Sequence, residues 1–157
     1  MVQPTSRSLL ARSIAAFVVL PGTMAFAIPI LIGATVGRPT GSAVIALIFL
    51  VCGTSSLLWC AREFYAVGRG TLAPWSPPQR LVTTGPYRFS RNPMYVSVCT
   101  ILVGWCALWG SRTLIVYTAV VACAIYLRVL LVEERSAART FGAEWAAYRS
   151  RVPRWIF

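Results

Sequence analysis

The chain contains no histidine, no lysine and no aspartate. Without histidine it lacks the side chain that most often acts as a general base near neutral pH, and also a standard zinc ligand. Whatever chemistry it performs proceeds without a titrating imidazole. Its five cysteines (Cys52, Cys60, Cys99, Cys106 and Cys123) form no CxxC pair and all lie inside apolar runs. They read as small apolar residues of membrane helices, and no metal site is expected. Negative charge is scarce: four acidic residues stand against fifteen arginines, for a net charge of +11. Those arginines are spread between hydrophobic runs and form no basic domain. That distribution argues against nucleic acid and for anionic lipid headgroups and membrane orientation.

What remains is mostly apolar. Of 157 residues 57% are hydrophobic, and the mean hydropathy is +0.68. A soluble domain of this size could not hide that much apolar surface, so an integral membrane protein is expected. Four nearly uncharged runs stand out, about 13–36, 42–61, 93–109 and 113–132. Pro21 and Pro29 interrupt the first, as kinks that membrane helices tolerate. Residues 37–41 and 110–112 are short turns, whereas 66–91 form the one long connection, rich in Pro, Gly and Arg. With four spans, every arginine except Arg38 and Arg112 falls on one side. The positive-inside bias then puts both termini in the cytoplasm, in a bacterial inner membrane. Arg7 and Arg12 before an apolar core, with Ala25-Phe-Ala27 beyond, also resemble a signal peptide. The apolar run continues to Val36, so the segment is kept as a span.

Between Tyr95 and Glu133 lie 37 residues with only Arg112 and Arg128 charged. At 1.5 Å per residue they cover roughly 56 Å, too long for one span and right for a hairpin of two. The hairpin returns Glu133 and Glu134 to the side where the segment Gly85-Pro-Tyr-Arg-Phe-Ser-Arg-Asn-Pro-Met-Tyr95 lies. Asn92 followed by Pro93 is a helix-start signal: the asparagine side chain accepts from free N–H groups, and proline at the first helical position loses nothing. That helix end, with Arg88 and Arg91, suits a carboxylate or phosphate. No basic residue lies three or four positions from either glutamate, so partners from elsewhere are expected, Arg88 and Arg91 or a cationic ligand. Arg128, inside the fourth run, is expected to snorkel to the interface. Phe141, Trp145 and Tyr148 fall at i, i+4 and i+7, one face of an amphipathic tail helix lying at the interface or folded over the bundle.

Taken as a set, Gly85-x-Tyr87, Arg91-Asn-Pro-x-Tyr95, Glu133-Glu134, Phe141-Gly142-x-Glu144 and Tyr148-x-x-x-Val152-Pro-Arg154 resembles the isoprenylcysteine carboxyl methyltransferase family, part of a wider group with the phospholipid methyltransferases. The resemblance covers roughly residues 70–155, and Ala73-Pro-Trp-Ser-Pro-Pro78 suits the shorter bacterial form. It implies methyl transfer from S-adenosylmethionine to a lipophilic acceptor: an isoprenylcysteine-like carboxylate, a phospholipid amine or another small hydrophobic molecule. It also implies a cofactor site made by Gln79, Arg80, Leu81, Val82, Tyr87, Arg91, Asn92, Pro93, Met94, Tyr95, Glu133 and Glu134. The family's basic substrate contact aligns with Val129, leaving neighbouring Arg128 for that role. The family's Arg-His-Pro is Arg91-Asn92-Pro93 here, so no catalytic base is assigned.

The expectation is therefore all-α: one membrane domain over 1–157, with four transmembrane helices and a C-terminal amphipathic cytosolic helix. Motifs in 79–95 and 133–155 would face the cytosol, where membrane lipids and a lipophilic substrate are the partners. Two rival functions are an NADPH-dependent reductase of the sterol reductase type and a non-enzymatic lipid-binding protein.

Overall fold

The computed structural model describes residues 18–68 and 79–156. The first run's beginning with Arg7 and Arg12, and the stretch 73–78, lie outside the described residues. Every regular element among the described residues is helical. A π-helical segment, Val18–Ala27, leads into α1 (Ile28–Val36); then come α2 (Ala43–Ala66), a 3-10 turn (Gly85–Arg88), α3 (Pro93–Trp109) and α4 (Arg112–Arg128). A π-turn, Val129–Glu133, joins α4 without a break to α5 (Glu134–Arg149).

These elements follow from local chemistry. Pro29 has no N–H to donate back to the carbonyls of the preceding turn, those of Met24 and Ala25. Both are satisfied from other helices: Trp105 Nε1 donates to the Ala25 carbonyl at 2.7 Å and the Tyr117 hydroxyl to that of Met24 at 2.9 Å. Ser42 caps α2 by accepting from the Ile45 N–H at 3.4 Å. This helix runs to Ala66, beyond the predicted end at 61, because Phe64 and the buried Glu63 pack inward. The turn before α2 is tied to the far end of α3, with Gly41 N–H donating to the Leu108 carbonyl at 3.0 Å and the Thr40 hydroxyl to that of Trp109 at 2.9 Å.

The α2–α3 pair makes the most extensive packing. Its helices approach closely at Gly53, where a Cβ would lie 2.7 Å from Ile101 Cγ1 and 3.0 Å from the Ile101 nitrogen. Beside it the Ser56 and Ser97 hydroxyls meet at 2.8 Å. The core joins Ala25, Leu57, Val98, Ile101, Leu102, Val121, Ile125 and Val129 across the bundle. Outward positions are apolar too, including Leu31, Val44, Leu47, Val116, Val120 and Val132. Two helices are long and apolar enough to cross a membrane, Ala43–Ala66 and Arg112–Arg149; the helices Pro21–Val36 and Pro93–Trp109 are apolar and shorter.

Candidate functional site

The hairpin of α3 and α4 brings the two polar motifs to one end of the bundle. The Tyr95 hydroxyl, in the first turn of α3, donates to Glu133 Oε1. Arg128 Nε donates to the same oxygen at 2.7 Å. That ion pair corrects one expectation: Glu133 does have a basic partner on its own helix, five residues back. The cause is the π-turn: the Glu134 N–H bonds to the Val129 carbonyl five residues back, which brings side chains at i and i+5 into reach. A regular α-helix would pair only i+3 and i+4.

Glu134 faces the other way, into a cluster from three parts of the chain. Arg154 grips it through two parallel bonds, Nε to Oε1 at 2.9 Å and Nη2 to Oε2 at 2.8 Å, the two-pronged geometry that makes arginine–carboxylate pairs strong. Arg91 Nη1 approaches Oε1 to 2.7 Å as an ion pair. The side chains of Arg91 and Glu134 are only 7% and 11% exposed. Burial by itself would raise the Glu134 carboxyl, but the Arg154 hydrogen bond and the charges of Arg91 and Arg154 outweigh it and hold the group below its usual value. Burial lowers Arg91 in turn, with Glu134 opposing that shift. The Arg91 guanidinium also lies 5.6 Å from the Trp145 ring centroid, within cation–π range.

Asn92 starts α3 as expected but does not cap it: its side chain makes no bond to the helix's N–H groups. Instead Asn92 Nδ2 donates to the Arg154 carbonyl at 3.1 Å. Ser90 works in the same place, its hydroxyl accepting from the Asn92 N–H at 3.1 Å and donating to the Arg154 carbonyl at 3.2 Å. The Arg91 N–H donates to the Pro153 carbonyl at 2.9 Å. Two carbonyls of the C-terminal strap, residues 150–156, thus take the donors of this segment: Pro153 the Arg91 N–H, and Arg154 the Ser90 hydroxyl and Asn92 Nδ2.

The strap reaches that position because the tail bends. Gly142 has φ +48° and ψ −118°, a conformation costly for residues with a Cβ. Phe141 and the pair Trp145 and Tyr148 therefore do not form one straight stripe. Trp145 and Tyr148 are buried while Phe141 is half-buried. Beyond the bend, the Tyr148 hydroxyl donates to the Tyr87 carbonyl at 2.7 Å, and burial pushes it up to about 12. Trp155 stacks on Tyr126, centroids 6.4 Å apart.

Glu63, which the sequence reading passed over, is the other buried carboxylate. It accepts from the Thr84 hydroxyl at 2.5 Å and from Arg62 at 3.2 Å. Gly85 follows at φ +58°, where a Cβ would meet Glu63 Cγ at 2.9 Å. An acidic residue near the end of an otherwise apolar run was the signal available for it. Of the remaining candidates, Tyr87 and Val82 are buried with Cys60, with Phe64 and Met94 packed against them, and burial raises Tyr87 well above its usual value. Leu81 is half-buried, Pro93 is buried, and Gln79 and Arg80 are exposed. Arg88 is exposed and joins none of the ion pairs among the described residues. Thus Arg91, Asn92, Tyr95, Arg128, Glu133 and Glu134 come together, while Gln79, Arg80 and Arg88 stand apart.

Next to this cluster opens a groove of about 380 Å³ between α2 and the start of α3. It is lined by Ser55, Ser56 and Trp59 on one side, Pro86, Phe89, Ser90, Pro93 and Val96 on the other, and Ile156 of the strap. No charged side chain lines it.

Residues 41–144 match the phospholipid methyltransferase family, and the chain belongs to that family. It is 32% identical over 109 residues to the nickel-cobalt-cadmium resistance protein NccN of Alcaligenes xylosoxydans xylosoxydans, covering 69% of this chain and 46% of that one. Over 100 residues it is 33% identical to the cobalt-zinc-cadmium resistance protein CzcN of Cupriavidus metallidurans, covering 64% and 42%. The chain spans less than half the length of these curated relatives. No solved structure matches it.

Proposed function

We propose that this member of a membrane methyltransferase family transfers a methyl group from S-adenosylmethionine to a lipophilic acceptor at the cytosolic face of a four-span bundle. The observation that carries the reading is the Tyr95–Glu133 hydrogen bond, which joins the start of α3 to the end of α4 in a chain of this family. The α3 helix, 17 residues long, is near the lower limit for a span. The arginine distribution supports cytosolic ends.

The donor set fits the cofactor. Glu133 has its Oε1 engaged by Tyr95 and Arg128, leaving Oε2 to face a sulfonium cation, and the Tyr126–Trp155 stack would offer an aromatic face. Residues 79–82, Tyr87 and 91–95 would complete the pocket. When bound, S-adenosylmethionine supplies an electrophilic methyl on a good leaving group. The chain's own task is then to orient and to exclude water. Tyr95 and Arg128 fix the Glu133 carboxylate, the folded-back tail is held on the neighbouring Glu134, and the uncharged groove beside Ser90 and Pro93 takes the acceptor's apolar part from the bilayer side. An acceptor arriving as a carboxylate or thiolate needs no base, in keeping with the missing histidine. Among the described residues no three His, Cys, Asp or Glu side chains group as metal ligands.

Titration of the detergent-purified chain with S-adenosylmethionine and, separately, with NADPH tests this reading. Saturable binding of the first alone is expected, and Glu133→Ala or Tyr95→Ala should weaken it at least about tenfold without unfolding the bundle. Binding of NADPH alone would mean a reductase, and binding of neither a non-enzymatic role. Incubating membranes with methyl-labelled cofactor then identifies the acceptor.

A further inference from the structure

The two adjacent glutamates are committed to different tasks. Glu133 keeps an oxygen outside its bonds to Tyr95 and Arg128. Glu134 has none to spare, since Arg154 takes both oxygens and Arg91 shares Oε1. A carboxylate so occupied and 11% exposed is an anchor, not a ligand-binding group. What it anchors is the strap. Arg154 reaches Glu134 through its guanidinium and holds Ser90 and Asn92 through its backbone carbonyl. One residue therefore ties together the segments that carry Tyr95 and Glu133, three positions beyond Asn92 and one before Glu134.

Resting on the reading above, we propose that Arg154 is a positioning residue of the methyl-transfer site, with Glu134 as its anchor. The strap sets the distance between the Tyr95 and Glu133 segments, and cofactor binding depends on that setting. Asn92 carries the same sign: its Nδ2 donates to the Arg154 carbonyl while its side chain makes no cap bond to α3, as expected if the strap orients the residue that opens the helix.

The test uses the full chain in detergent and compares wild type with Arg154→Ala, Arg154→Lys, Glu134→Ala and the Arg154→Ala/Glu134→Ala double variant. Two quantities are read: the Kd for S-adenosylmethionine and hydrogen exchange at the Arg91 amide, which is bonded to Pro153. Arg154→Ala is expected to raise Kd about tenfold, the size of a lost charge-assisted pair, and to speed exchange at Arg91. Lysine keeps the charge but lacks the fork, so Arg154→Lys should fall between. The double variant should be no worse than either single one, because both break the same link. An Arg154→Ala chain that melts earlier but binds S-adenosylmethionine with unchanged Kd reduces Arg154 to a structural residue and overturns the proposal, while leaving the methyltransferase reading intact. Unchanged exchange at Arg91 overturns it equally. Failure of the wild type itself to bind removes the function and the positioning role together. Should Arg154→Ala not fold, Arg154→Lys and Glu134→Ala give the same readings.

Discussion

The α2–α3 pair and the junction between the α3 start, the α4 end and the tail are built by opposite means. In the helix pair, shape does the work: Gly53 admits the Ile101 backbone, two serines share a hydrogen bond, and no ion pair is needed. At the junction, geometry is set by charge, with Arg91, Arg128 and Arg154 distributed over Glu133 and Glu134. Close packing specifies where a helix lies along its whole length but is indifferent to which polar group ends where. Directional charge pairs specify a few atoms sharply and contribute little beyond them. This chain uses the first for the scaffold and the second for the junction at its polar end.

That contrast can be broken most severely in the scaffold. Gly53→Leu should force α2 and α3 apart, since even a Cβ meets Ile101 backbone and the Ser97 carbonyl within 3.0 Å. We expect a loss of about 3 kcal/mol, read as a collapse of the monodisperse fraction on size exclusion. Tyr148→Phe attacks the other region. It leaves the Tyr87 carbonyl without its donor and should cost about 1–2 kcal/mol, lowering Tm modestly while sparing the helix pair.

Acidity sharpens the comparison further. Because Glu134 is held below its ordinary carboxylate value in the folded chain, its ion pairs contribute fully above the unfolded pKa of about 4.3 and are lost as pH falls through the lower folded value. Exchange at the Arg91 amide should accelerate over that acidic window in wild type. Glu134→Gln should show faster exchange already at neutral pH, without the acid-dependent step, and α2–α3 amides should not respond. The smallest effect is expected at Ser42→Ala, which removes the α2 cap for about 0.5–1 kcal/mol, seen as a small Tm decrease with S-adenosylmethionine binding unchanged.

The scaffold was largely legible in the sequence because its rules are local. Uncharged runs mark the helices, Pro93 opens α3 where expected, and the spacing from Tyr95 to Glu133 foretells their meeting. The junction was legible only in outline. Arg154 and Glu134 lie 20 positions apart and meet across the kink at Gly142, a backbone choice that helix periodicity does not encode. Glu63 is not legible as a partnered group because Thr84 lies across the long connection. Helical spacing of three and four excludes the Arg128–Glu133 pair, and in a π-turn that is the wrong rule.

That π-turn has a consequence for how the chain tolerates change in length. It accommodates one extra residue between α4 and α5, and each residue of an α-helix turns the chain by about 100°. Deleting one residue from 130–132 would restore regular winding. The wider turn already absorbs that residue's rotation, so Glu134, Trp145 and Tyr148 would keep their phase toward Arg91 and Tyr87, and Arg128 and Glu133 would stand at i and i+4, still a pairing spacing. A one-residue deletion there should be far better tolerated than one in the regular turns on either side.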